Sequence, residues 1–285
     1  MSPRHALPLL LAAALLAGGM APLAACEGGT ASGGDAAAAE AGALAAAWGA
    51  DGAVLLSDSR SLVPAGLALP TALDPRTGLV ARSRAAAETV LDGRFVVPVA
   101  RSRDRHGRLI GDARLLPEPG DGGRPGRSLA QALVLAGAGF ADPQAAPACA
   151  AALLAAEAEA RQARRGIFAD PAAVLPARDQ DRLGRRAGLF TLAEGRVRAA
   201  GATRDKVFLN FGSRWREDFT IVLPAGDFAT ILGDGLDPAM LRGTLVSVRG
   251  VVRMDGGPAI FVRGKDEIAI LDGPTPDGAK EGEAR

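Results

Sequence analysis

Asp104-Arg105-His106-Gly107-Arg108-Leu109-Ile110-Gly111-Asp112-Ala113-Arg114-Leu115 reads as a tight turn running into a strand. Gly107 follows His106 as a turn residue, because glycine takes φ > 0 without steric cost. Arg108 stands at the strand start, with apolar residues after it. An arginine fixed at such a junction can aim its planar fork at a phosphate. The other reading of the same string is a charged hairpin with one solvated arginine. The surrounding chain bears on the choice.

Helix and strand signals flank this turn on both sides. Val54-Leu55-Leu56, Ser57-Asp58-Ser59-Arg60 and Ser61-Leu62-Val63 read as strand, turn, strand. Apolar spacing from Leu79 to Leu91 suits a helix, with Gly93 closing it. Phe95 to Ala100 is a strand, and Leu109 to Leu116 the strand after the Arg108 turn. Ser128 caps a helix to about Ala138. Cys149 to Arg165 is rich in Ala, Leu, Glu and Arg, with Glu157 and Arg161 spaced i, i+4, and ends at Gly166.

These elements and three strings resemble the thermonuclease, or staphylococcal-nuclease-like (SNase-like), family. Leu154-Ala155-Ala156-Glu157-Ala158-Glu159-Ala160-Arg161 through Arg165-Gly166-Ile167-Phe168 looks like its final helix. Ser128 to Gly137 looks like its V-N-x-x-L-V-x-x-G helix, and Ala81-Arg82-Ser83-Arg84-Ala85 its first helix. The Asp104–Leu109 string looks like its D-[RK]-x-G-R-L turn. The resemblance implies a five-stranded OB-like barrel with helices against it, and makes Arg108 the phosphate-contacting arginine.

Active members also carry D-G-D-T and R-L-x-G-I-D-A-P-E, which supply Ca²⁺ ligands, a general-base Glu and a second Arg. Here the second motif aligns with Val63-Pro64-Ala65-Gly66-Leu67-Ala68-Leu69-Pro70-Thr71. Val63 replaces the Arg, Ala68 the metal-binding Asp, and Thr71 the base. The first motif falls near Ala50-Asp51-Gly52-Ala53, leaving Asp51 as the one candidate metal ligand. The resemblance therefore implies a retained fold over a lost catalytic site. The alternative is a Ca²⁺-dependent nuclease in which a shifted register recruits Asp51, Asp58 or Asp74. No cofactor is expected otherwise.

A second run of strands follows: one opening at 195–199, then 206–211, 219–223, 245–252, 259–262 and 266–271. Lys206-Val207-Phe208-Leu209-Asn210-Phe211-Gly212, Trp215, Asp218-Phe219-Thr220 and Val246-Ser247-Val248-Arg249-Gly250 resemble the OB-like module found after bacterial thermonuclease domains. OB barrels stack bases on aromatics within a basic groove. Phe208, Phe211, Trp215, Phe219 and Phe261, with Lys206, Arg214 and Arg216, are the candidates. The competing expectation is that the phenylalanines fill the barrel and Trp215 plugs its end.

Targeting and composition complete the reading. Arg4 followed by Leu7–Leu16 forms a secretory signal, too short to span a bilayer. Leu23-Ala24-Ala25-Cys26 resembles the bacterial lipobox, which implies lipidation of Cys26 and a periplasm-facing anchor; Glu27 suggests the outer membrane. The 285 residues hold two Cys and two His, His5 and His106, so a disulfide framework, a multi-His metal site and a His-dependent triad are not expected. Without residues 1–25 the charge balance is 32 basic to 32 acidic, unlike a dedicated nucleic-acid binder.

The expected organisation is a signal over 1–25, a flexible tether over 26–45, an SNase-like barrel over 46–171 and a charged linker over 172–188. An OB-like barrel over 189–271 and a disordered tail over 272–285 follow. The fold class is α+β, mainly β with helices, in two OB-like five-stranded barrels. The expected function is a membrane-anchored binding or scaffold module that keeps some nucleic-acid or polyanion affinity or meets an envelope protein. Its nucleic-acid candidates are Arg108, Arg105, Trp215, Arg214 and Lys206.

Overall fold

A computed structural model describes residues 41–70, 78–116, 127–214 and 216–273. Cys26, Thr71, Asp74 and Trp215 lie outside the described residues, as do the signal and most of the expected tether and tail. The elements are β1 (Ala43–Trp48), β2 (Val54–Leu56), β3 (Ser61–Pro64), β4 (Leu67–Ala68), α1 (Leu79–Leu91), β5 (Phe95–Arg103) and β6 (Leu109–Leu115). Then come β7 (Arg127–Ser128), α2 (Leu129–Leu135), β8 (Phe140–Ala141), α3 (Ala150–Gln162), β9 (Val174–Pro176), α4 (Gln180–Gly184) and β10 (Phe190–Arg196). The last are β11 (Ala199–Ala202), β12 (Lys206–Asn210), β13 (Thr220–Pro224), α5 (Phe228–Leu232), β14 (Leu245–Asp255), β15 (Gly257–Phe261) and β16 (Ile268–Asp272).

The molecule is mixed α and β and contains a closed five-stranded barrel. Strands β3, β2, β1, β5 and β6 pair in that order, and a parallel β3–β6 ladder, Leu62 to Leu109 and Val63 to Ile110, shuts the ring. Alternation along β6 sends Leu109, Ala113 and Leu115 inward. They meet Trp48, Val54, Leu56, Leu62 and Val96 in a core that α1 and α2 cover with Ala87, Leu91, Leu129 and Leu133. Helix α2 starts where expected: Ser128 accepts from the Gln131 amide, and Asp112 on β6 accepts from the Ser128 hydroxyl and the Ala130 amide.

The second sheet runs β11-β12-β13-β15-β14-β10-β9, with β16 on β14. Only Val197 and Arg198 separate β10 from β11, so both ends of the β11-to-β10 path meet in one piece of chain. Phe211, Phe219, Ile221, Leu223, Val246, Val248 and Ile260 lie in its core.

Three boundaries differ from expectation. Strand β1 begins at Ala43, inside the expected tether, because pairing to β2 and β5 overrides the helical preference of its alanines. The expected linker carries β9, parallel to β10, and α4. Its Leu175, Ala177 and Leu183 are buried in the second core beneath the charge run. Asp272, expected to open the tail, ends β16 opposite Leu245.

The two units pack against each other. Phe140, Phe168 and Leu192 share a cluster, with Phe190 against it. Phe140 meets Phe168 edge-on at 5.8 Å. Beside them Arg249 of β14 pairs with Glu157 of α3 at 2.7 Å, both side chains nearly fully buried. Arg249 also donates to the Ala141 carbonyl, while Glu157 accepts from the Ala141 amide. Arg161 reaches Glu194 across the same junction at 2.5 Å.

Candidate functional site

The turn between β5 and β6 is built around Asp104. Its Oδ1 accepts from the amides of His106, at 2.8 Å, and Arg108, at 3.0 Å. The Gly107 amide donates to the Asp104 carbonyl, and Gly107 sits at φ 77°. Asp104 Oδ2 then accepts from Arg108 Nε at 2.7 Å. The other arm of the guanidinium, Nη1, donates to Asp51 Oδ2. Partial burial opposes ionisation of Asp104, but hydrogen bonds from Arg108 and His106 outweigh it and hold the carboxyl below the usual carboxylate range. The hydrogen bond to Asp104, with the nearby Asp51 charge, raises Arg108 further above the usual arginine value.

Asp51 arrives from the β1–β2 hairpin, where its Oδ1 accepts from the Ala53 amide at 3.2 Å. That hairpin turns through Gly52 at φ 76°, against which the Leu69 side chain packs so closely that a Cβ on Gly52 would lie 2.1 Å from Leu69 Cδ1. The corner that the family resemblance makes a metal and phosphate site is therefore an arginine closed between two carboxylates beside an apolar leucine.

The residues present do not fit a calcium ion. Calcium takes six to eight oxygen ligands. Val63 lies in the β3–β6 ladder, and Ala68 pairs with Phe140 on β8. Ala53 is buried and apolar. Asp51 is engaged by Arg108, and Asp58 by its own neighbour Arg60 at 2.6 Å. Among the described residues no group of three or more His, Cys, Asp or Glu is placed to hold a metal.

Of the nucleic-acid candidates, Arg105 shares the Arg108 turn and donates from Nε to His106 Nε2 at 3.1 Å. Lys206 and Arg214 lie on the second unit, Lys206 opening β12 and Arg214 following it. Arg214 is exposed and paired with Glu217 at 2.9 Å. The structure thus divides the candidates into separate corners. It also divides the aromatics: Phe211 and Phe219 are core residues, ring centres 5.5 Å apart. Phe208 and Phe261 are half-buried and flank buried Val222, the register partner of both. Over Phe261 stand two cations, Lys206 Nζ at 5.7 Å and Arg253 Cζ at 5.5 Å from the ring centre. Arg253 was not foreseen, and no local string marks it; only the β14–β15 register, Arg253 to Ala259, brings it there. Asn210 is satisfied by Thr220 and the Gly212 amide.

No family model and no curated protein matches the chain. Among solved structures it is similar to an OBody, AM1L10, bound to hen egg-white lysozyme: 21% identity over 32% of this chain and 86% of that one, TM-score 0.24. It is similar to aspartyl-tRNA synthetase from Entamoeba histolytica, 13% identity over 34% of this chain and 21% of that one, TM-score 0.25. The asparaginyl-tRNA synthetase from Pyrococcus horikoshii aligns at 17% identity over 32% and 22%, TM-score 0.23. The chain spans about a fifth of each synthetase, and likenesses of this extent carry no argument about its activity.

Proposed function

We propose that this protein is a lipid-anchored module of the bacterial envelope that binds a polyanion, single-stranded nucleic acid being the probe of choice, and does not cut it. In this reading the barrel is a degenerate SNase-like domain and the second sheet a second OB-like barrel. Cys26 carries the lipid, on the periplasmic side of the outer membrane. No helix among the described residues is long and apolar enough to cross a membrane.

One observation carries the non-catalytic reading: both arms of the Arg108 guanidinium are taken by carboxylates of the same chain, Asp104 and Asp51. A phosphate entering there would meet two negative charges, and must displace a charge-assisted hydrogen bond to gain one. Binding is assigned instead to Phe208 and Phe261 with Lys206 and Arg253. An aromatic face under two cations accepts a stacked base and an adjacent phosphate without sequence preference.

The test is fluorescent single-stranded DNA and RNA with the mature chain, residues 26–285, in Ca²⁺ and in chelator, read by gel and by anisotropy. The expected result is no cleavage in either condition and binding that weakens as salt rises. Calcium-dependent cleavage abolished by Arg108→Ala would overturn the proposal and establish the nuclease. Absence of both cleavage and binding would move the module to an envelope protein partner.

A further inference from the structure

We infer that the barrel rests on the membrane through the face where the chain from Cys26 enters it, and that this face takes an anionic bilayer surface. The inference rests on the proposed lipid anchor for its geometry, but on the folded barrel for its chemistry.

Leu44, Phe95 and Leu116 form one row across three neighbouring segments. Leu44 is the register partner of Phe95, and the Leu116 amide donates to the Phe95 carbonyl at 3.0 Å. The next row, Ala43, Val96 and Leu115, points into the core and is buried. Pleating therefore turns the first row outward, and its side chains are 48%, 40% and 37% exposed. Three large apolar residues side by side on the outside of a barrel differ from the single exposed ones every protein shows.

Basic groups border the row. Arg94 donates to the Leu116 carbonyl at 2.8 Å, and Arg60 to the Ala41 carbonyl at 2.5 Å. Arg114, on β6 two residues before Leu116, is exposed beside it. Asp58 pairs with Arg60. Asp92, three residues before Phe95, is the nearest acidic residue in the described sequence, and Glu40 and Glu118 flank the row in sequence, outside the described residues. Apolar residues within a basic border match the interface of an anionic leaflet, where acyl boundary and headgroup charge lie within one Debye length, about 10 Å.

The chain's path selects this occupant over another protein. Fifteen residues, Glu27 to Ala41, connect the proposed anchor to the barrel. A chain of that length reaches at most about 50 Å even when fully extended. It enters at Gly42, against whose backbone the Phe95 ring packs. The exposed row thus stands at the tether's point of entry, on the part of the barrel held nearest the bilayer. The effective concentration of lipid there makes a small apolar contact sufficient.

The experiment uses the mature chain with a hexahistidine tag ahead of Cys26→Ser, held on vesicles containing nickel-chelating lipid. The vesicles are phosphatidylethanolamine with phosphatidylglycerol, or phosphatidylcholine alone. Phe95→Cys carries an environment-sensitive dye in one sample. Met254→Cys, on the second sheet and 56% exposed, carries it in another. The unsubstituted chain checks that buried Cys149 stays unlabelled. The expected result is a blue shift and quenching by brominated lipid at position 95 on anionic vesicles, little at position 254, and loss of the shift in Leu44→Ser/Leu116→Ser. A water-like signal at 95 on both vesicles, or equal shifts at 95 and 254, would overturn the inference. Fractionation of Cys26→Ser in cells tests the anchor separately; an unchanged membrane fraction there would refute lipidation and leave the vesicle result standing.

Discussion

The Arg108 corner of the barrel and the Phe261 face of the second sheet each put a cation at the end of a strand, and they arrange it oppositely. Arg108 is 30% exposed and held by two carboxylates. Lys206 and Arg253 stand over an aromatic ring. A guanidinium satisfied by its own chain has little left for a ligand, whereas a cation over a π-face keeps its outward donors. The cores differ too. The barrel core is built mainly of leucines, such as Leu56, Leu62, Leu109 and Leu133, interleaved with alanines around Trp48. The second is filled by β-branched and aromatic residues such as Val207, Ile221, Ile260 and Phe219. A frame can survive while the chemistry at its mouth is cancelled from within.

The largest expected effect comes from cutting the two units apart. Arg249→Ala leaves Glu157, 2% exposed, as an unpaired buried charge. Losing one partner of such a pair costs about 3–5 kcal/mol. Urea unfolding followed by fluorescence should show a lower midpoint and separation of the two units into distinct transitions. A single transition at an unchanged midpoint would mean that this ion pair is not what couples them. Arg161→Ala, at the more open pair with Glu194, should cost far less, about 1 kcal/mol or under.

Gly52→Ala attacks the barrel mouth alone. It forces an L-residue to φ 76° and sets its Cβ against Leu69. The expected cost is about 1–3 kcal/mol, seen in the Arg249→Ala background, where the units unfold apart, as a lower thermal midpoint for the barrel and no shift for the second unit. A barrel as stable as before would show that Leu69 moves freely, and so does not seal the corner. On the ligand side, Phe261→Ala should weaken single-strand binding by about 1–3 kcal/mol if one base stacks there. Arg108→Ala should leave anisotropy titrations unchanged. The reverse pattern would exchange the roles assigned to the two corners.

What the sequence made legible follows the same divide. Short apolar runs rich in Val, Ile and Phe over 207–209, 221–223 and 246–252 announce their strands, and these form. Leu79–Leu91 forms the helix that its apolar spacing predicts, with Gly93 at φ 63° just beyond it. Strand β1 was hidden because Ala45-Ala46-Ala47 has no strand preference of its own; its pairing partners lie elsewhere in the chain. The charge run 178–186 hid Leu183 in the same way, since one buried leucine sets no period. The clamp on Arg108 was half visible. Asp104 is four residues away, within the turn, but Asp51 is 57 residues away and reaches the arginine only because the barrel closes.

Acid should separate the two units most finely, because Asp104 and Glu267 are displaced in opposite directions. Asp104 is held below its ordinary 3.8, so its contribution is complete above that value and is lost as pH falls through the lower folded value. Glu267 is buried, and that burial raises it above its ordinary 4.5 despite amide donors from Arg263 at 2.5 Å and Gly264 at 3.0 Å. The folded state therefore binds this proton more tightly than the unfolded chain. Stability linked to Glu267 is fully present below 4.5 and declines as pH rises through the folded value. Thermal midpoints against pH should show the consequence. Glu267→Gln removes a decline that begins near 4.5 and runs upward, and leaves the acid limb intact. Asp104→Asn lowers the midpoint at neutral pH, and the deficit closes below 3.8. If Glu267→Gln instead loses stability at neutral pH and the deficit closes in acid, the two amide hydrogen bonds outweigh the burial. Glu267 would then be a cap of the Asp104 kind, and the electrostatic contrast between the units would be confined to Arg108.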